Sequence, residues 1–143
     1  MSSLSDAVSA IRGRMETLWP ESSVMLAWPN ENFSLPSSVE DGNPQSWVLV
    51  EVRWNPLNEG SIGSPGSNLA RRFGHIWFYC FVPQGSGESR CHQLLSEAAA
   101  IFENADFSNV VCEGFEPGGI AETENGNFFG LAGSVPFNFD EFV

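Results

Sequence analysis

The sequence predicts an α+β fold, a mainly antiparallel sheet of four to five strands with two helices packed on one face. Three observations carry this. Apolar residues recur at helical spacing in only two stretches, near 4–18 and 88–103. Strand-like segments outnumber them, in the order helix, short strand, two strands, helix, two strands, and hairpin-type links join successive strands. The stretch 71–82, Arg-Arg-Phe-Gly-His-Ile-Trp-Phe-Tyr-Cys-Phe-Val, is apolar on both parities, with Gly74, Ile76, Phe78, Cys80 and Val82 on one side and Phe73, His75, Trp77, Tyr79 and Phe81 on the other. A strand with one wet side alternates apolar and polar, so this one is central and covered on both faces. The chain's own helices supply one cover; a neighbouring subunit is a candidate for the second.

The first helix, residues 4–18, places Leu4, Val8, Ile11, Met15 and Leu18 on one stripe, with Ser3 or Ser5 as cap, Pro20 as stop and Gly13 off the stripe. Residues 24–28 read as a short strand stopped by Pro29. The stretch 29–46 is irregular, with Phe33 and Leu35 as its apolar anchors. Strand 47–54 puts Val48, Val50, Val52 and Trp54 on one face and Trp47, Leu49, Glu51 and Arg53 on the other, where Glu51 and Arg53 can pair. The connection 55–70 is rich in Gly, Pro, Ser and Asn; Ile62 and Leu69 would be wasted on solvent, so it is expected to order against a partner. After the central strand, Pro83 and Gly85-Ser86-Gly87 break the chain before a helix over 88–103 with Cys91, Leu94 or Leu95, Ala98 and Phe102 buried. Residues 107–116 read as one long strand, 117–126 as an acidic turn, and 127–139 as a last strand at a sheet edge with a bulge, because of Gly130, Gly133 and Pro136.

At 143 residues the chain is one domain, 1–143, able to bury roughly two-thirds of its unfolded surface. The 42% hydrophobic content excludes a mainly disordered chain. No run approaches the roughly 20 apolar residues of a membrane span, and no basic n-region is visible at the N-terminus, so the cytoplasm is the expected compartment. The 18 acidic residues face six Arg and no Lys, a net charge of −12, which makes the chain a poor ligand for phosphate backbones. Such a surface stays clear of DNA, meets a basic partner, or serves solubility alone.

Constellations that carry chemistry are weak. Cys80 and His75 fall on opposite parities and cannot form a dyad within the strand. Cys91 and His92 are adjacent on a helix, a poor chelating geometry, and the three cysteines, Cys80, Cys91 and Cys112, read as buried thiols rather than a disulfide framework. Gly85-Ser86-Gly87 lacks the lysine of a phosphate loop and is followed by Glu88, so helix capping by Ser86 is the better reading. Glu113, Glu116, Glu122 and Glu124 lack the spacing of a calcium loop and read as a solvated acidic rim. No catalytic residue, cofactor or metal is assigned; the expectation is a protein that is not an enzyme.

Several motifs follow one another in a recognisable order. Ala27-Trp28-Pro29-Asn30 is followed by Phe33 and Pro36, then by the strand Trp47-Val48-Leu49-Val50. A long Gly-rich loop leads to Arg71-Arg72-Phe73-Gly74, and Pro83, Gly85 and Gly87 lead into the second helix. In this layout the chain resembles the tail terminator (tail completion) proteins of long-tailed phages and phage-derived particles, from the first helix to the last strand. The segment 137–143 matches no motif of that family.

The resemblance implies a virion protein, assembled in the host cytoplasm, that forms a ring of usually six subunits on the head-proximal end of the tail tube. It stops tube polymerisation and docks the head or neck completion protein, while DNA passes through the lumen without specific binding. Six copies would carry about −72 formal charges, six times −12, and a negative lumen would repel DNA and keep it sliding. Residues expected at the subunit or tube interface are Phe33, Arg53, Glu59, Ile62, Leu69, Arg71 and Arg72, with Arg71 and Arg72 pairing with acids across the ring. The alternatives are a head–tail joining (neck or stopper) protein and a monomeric acidic binding module.

Overall fold

The computed structural model describes residues 3–32, 46–56, 69–121 and 128–142. Helix α1 spans Leu4–Leu18. Ser3 caps it with a full capping box, its hydroxyl accepting the Asp6 N–H at 3.2 Å while its own N–H donates to the Asp6 carboxylate at 2.9 Å. The buried side of α1 is Ala7, Ile11 and Met15. Leu4 and Val8 are each 39% exposed and Leu18 is 48% exposed, so the expected stripe is rotated. The small Ala7, rather than Leu4 or Val8, faces the core and lets the helix approach closely.

Strand β1 (Met25–Ala27) runs parallel to β2 (Trp47–Trp54). The remaining pairings are antiparallel. β3 (Leu69–Pro83) pairs along its length with β7 (Phe128–Phe142), and helix α2 (Ser89–Phe102) lies on both of them with α1 packed against it. The order across the sheet is β1-β2-β3-β7-β5-β4, with β6 also on β7. The fold is therefore α+β, with two helices, as expected, but with seven strands rather than four or five among the described residues.

The extra strands come from the region 106–121. A two-residue turn at Ser108 and Asn109, with φ of 47° and 66°, folds β4 (Asp106–Phe107) onto β5 (Val110–Cys112). Positive φ at both turn positions matches the right-handed twist of the flanking strands. The single strand expected over 107–116 is broken there. β6 (Glu116–Ala121) then takes up part of the expected acidic turn. Because β3 fills one edge of β7, β5 and β6 lie end to end along the other, on Val110↔Phe139 to Ala121↔Gly130.

That arrangement also corrects the placement of the last strand, which is interior rather than at an edge. Its glycines answer close packing: the Phe81 ring lies where a Cβ on Gly130 would sit, and the Phe115 ring does the same at Gly133. The register slips on the β6 side, between Pro117 and Ile120, and not on β7. Pro136, which has no N–H to give the ladder, accepts the Glu113 N–H at 2.8 Å.

The main core lies between helices and sheet, with Phe78 stacked on Phe102 at 5.7 Å and Ile11, Met15, Val48, Leu94 and Val135 fully buried around them. Ser86 does not cap α2. Its hydroxyl donates to the Pro83 carbonyl at 2.6 Å, and Glu88 holds the N-cap without a side-chain hydrogen bond. No helix is long and apolar enough to cross a membrane among the described residues.

Candidate interaction surface

The parity of β3 decides which side chains leave the core. Gly74, Ile76, Phe78, Cys80 and Val82 are buried toward the helices. Phe73, His75, Trp77, Tyr79 and Phe81 form a row on the opposite face, and that row is covered unevenly. At one end Phe81, Trp47, Phe128 and Ala27 make a second small core, with Trp47 stacked on Phe81 at 4.3 Å and edge-on to Phe128 at 5.9 Å. In the middle, Trp77 and Tyr79 are half-buried, near-parallel at 6.1 Å, and the Tyr79 phenol is pushed up chiefly by burial. At the other end Phe73 is 45% exposed. The two-sided burial expected of this strand is thus complete on the helix side and partial on the other.

The small β7 partners explain the half-covered middle. Tyr79 and Trp77 lie opposite Ala132 and Ser134, and β2 contributes Leu49 and Glu51 beside them. Neither Ala132 nor Ser134 can shield a neighbouring ring from water.

At the open end, Phe73, His75, Asn55, Glu113, Glu116 and Pro136 line a cleft of about 390 Å³. His75 is held by Asn55 (Nδ1 to Oδ1 3.2 Å), and its Nε2 is 4.0 Å from the Glu116 carboxylate. The Asn55 N–H donates to the Phe73 carbonyl at 2.8 Å, which ties the end of β2 to β3. Phe73 also borders a smaller cleft of about 80 Å³ with Leu4, Trp54 and Arg72.

Of the residues expected at an interface, Arg53, Arg71 and Arg72 have described side chains. Phe33, Glu59 and Ile62 lie outside the described residues, as does the side chain of Leu69, whose backbone begins β3. Arg53 and Arg71 share the outer face, Arg53 opposite His75 and Arg71 four residues along β3. Arg72 is on the other face. Arg53 pairs with Glu51, as expected. Arg71 makes a two-pronged contact with Asp140 (2.8 and 3.1 Å), holding that carboxyl below the usual range, and Arg72 is 3.6 Å from Glu141. Both arginines therefore have partners within the protomer, supplied by the C-terminal segment that matched no motif. The sequence marked Glu113 and Glu116 only as an acidic rim; their approach to Phe73 and His75 depends on β5 and β6 following β7.

The thiols are structural in their surroundings. Burial pushes Cys91 and Cys112 up to about 11 and raises Cys80 further, and the Cys91 thiol donates to the Cys80 carbonyl at 3.3 Å. Among the described residues no group of three His, Cys, Asp or Glu is placed to hold a metal ion.

No family model and no curated protein matches this chain. A solved structure at 13% identity matches it over 98% of this chain and 96% of that one, with a TM-score of 0.54, a likeness of fold alone.

Proposed function

We propose that the chain is a structural subunit of a phage tail or phage-derived particle, a tail terminator whose ring closes the head-proximal end of the tail tube. The observation that carries the reading is the half-covered aromatic face of β3. Trp77 and Tyr79 stand over small neighbours in the middle of a strand whose other face is buried from Gly74 to Val82. A neighbouring subunit laid on that face would complete the cover that one protomer leaves partial. Because Arg71 and Arg72 already hold Asp140 and Glu141, apolar and aromatic contact rather than ion pairing would join the subunits. The ordered motifs from Ala27-Trp28-Pro29-Asn30 to Pro83, Gly85 and Gly87 support the same assignment.

The test is to image particles made without this protein. Overlong tails detached from DNA-filled heads are expected. Heads that lose their DNA would assign the chain to the neck instead, and normal particles would overturn both virion roles. Removal of residues 58–68 should leave a folded subunit that no longer yields capped tails of uniform length; uniform tails would take that segment out of the mechanism.

A further inference from the structure

We infer that the cleft at the open end of the aromatic face docks a basic segment of a different protein, with an arginine or lysine side chain seated between the Phe73 ring and the carboxylates of Glu113 and Glu116. The inference rests on where the chain's charges are spent, and it stands without the tail-terminator reading. All six arginines lie among the described residues, and each is engaged inside the protomer. Arg12 holds Glu16 and Glu31, Arg53 holds Glu51, Arg71 holds Asp140, Arg72 holds Glu141, and Arg90 holds Glu21. Arg14 donates to the Ile101 carbonyl at 2.8 Å and lies over the Phe107 ring at 4.9 Å. None reaches Glu113 or Glu116.

The cleft therefore keeps two carboxylates that no arginine of the chain neutralises. The imidazole of His75, tethered by Asn55, comes within 4.0 Å of the Glu116 carboxylate, and Glu113 lines the same cleft. Beside them stands Phe73, an aromatic ring left 45% exposed at the end of a strand. An exposed ring next to uncompensated carboxylates is the environment that a guanidinium or ammonium group recognises, through ring quadrupole and charge together. A second copy of this chain brings no unengaged arginine and adds the same negative charge, and a nucleic acid adds phosphates. Charge complementarity selects a basic polypeptide.

A labelled peptide of about ten residues, with several arginines among glycine and serine, is titrated into the full chain at about 0.1 M salt and followed by fluorescence anisotropy. Glu113→Gln with Glu116→Gln, and separately Phe73→Ala, should each weaken binding about fivefold or more, whereas Glu88→Gln with Asp106→Asn should change it by less than about twofold. Both double variants remove the same charge, so only a local site separates them. Phe73→Leu, which keeps the apolar contact and loses the ring, should behave as Phe73→Ala does and guards against a folding defect. Equal losses in the two double variants would reduce the effect to long-range attraction by an acidic chain and overturn the site. So would absence of binding to the parent, or self-association of the parent that hides the cleft from the peptide.

Discussion

At Gly74 there is no room for a methyl group. A Cβ there would lie 2.6 Å from the Arg53 carbonyl oxygen and 2.9 Å from the Phe137 ring, which is itself edge-on to Trp54 at 5.2 Å. The carbonyl is backbone and cannot swing aside, so Gly74→Ala should lower stability by about 2 kcal/mol in urea unfolding. Gly13 is the counter-case: nothing lies within 4 Å of its missing Cβ on α1, and Gly13→Ala should raise stability by about 0.5–1 kcal/mol. Opposite signs at two glycines are the check; a neutral Gly74→Ala would mean that β2 and β3 are not packed as described. Glu97 on α2 offers a pH-dependent residue. Burial first, and the neighbouring Glu21 second, hold its carboxyl above the ordinary range, while Arg90 holds Glu21 below it. Folded Glu97 therefore keeps its proton longer than the unfolded chain does, and stability is lost as pH rises from about 4.3 through the folded value. Glu97→Gln is neutral throughout, so it should exceed the parent by roughly 0.5 kcal/mol at pH 8, with the gap closing near pH 4, once partial exposure is discounted. Thermal melts across that range measure it.

The elements differ in how openly the sequence declares them. The span of α1 and that of β2 are legible to the residue, because a helical stripe beside a capping serine, and an alternating Val row, are local signals. β3 is legible as central because both of its parities are apolar. The β4–β5 hairpin is not. Ser108-Asn109 lacks the glycine that announces such a turn, and the run of Val110, Val111 and Cys112 reads as continuous with Phe107. β7 misleads for a related reason. Gly130, Gly133 and Pro136 carry the marks of an edge, and only the distant Phe81 and Phe115 rings explain the two glycines. The acidic wall of the cleft is hidden with them, since Glu116 comes within 4.0 Å of His75, and Glu113 joins the same cleft, only through that strand order. The hairpin supplies its own test. Ser108→Asn combined with Asn109→Gly puts the preferred residues at two positive-φ positions and should raise stability by about 0.5 kcal/mol. A loss of stability, read from the thermal midpoint, would mean that Ser108 and Asn109 do not form this turn.

On the scale of the whole molecule, the distribution of charge decides how copies of the chain can meet. Every arginine is engaged internally, and the chain carries a formal charge of −12. Two such subunits repel, so the proposed ring would have to be held by apolar burial such as the Trp77–Tyr79 face can offer. Salt then acts in a definite direction. Screening shortens the reach of the repulsion, with a Debye length of about 10 Å at 0.1 M and about 3 Å at 1 M, and leaves the apolar contact in place. Self-association should therefore strengthen as ionic strength rises, and Arg71→Gln should leave it nearly unchanged, because that arginine is spent on Asp140. An interface built on arginines bridging to acids of the next subunit would do the reverse, weakening with salt and failing in the Arg71 variant. Sedimentation velocity at about 0.05 M and 0.5 M salt, on the parent and on Arg71→Gln, distinguishes the two. Assembly that dissolves as salt is added would show that the internal pairs open on contact, and would overturn the aromatic face as the proposed contact between subunits.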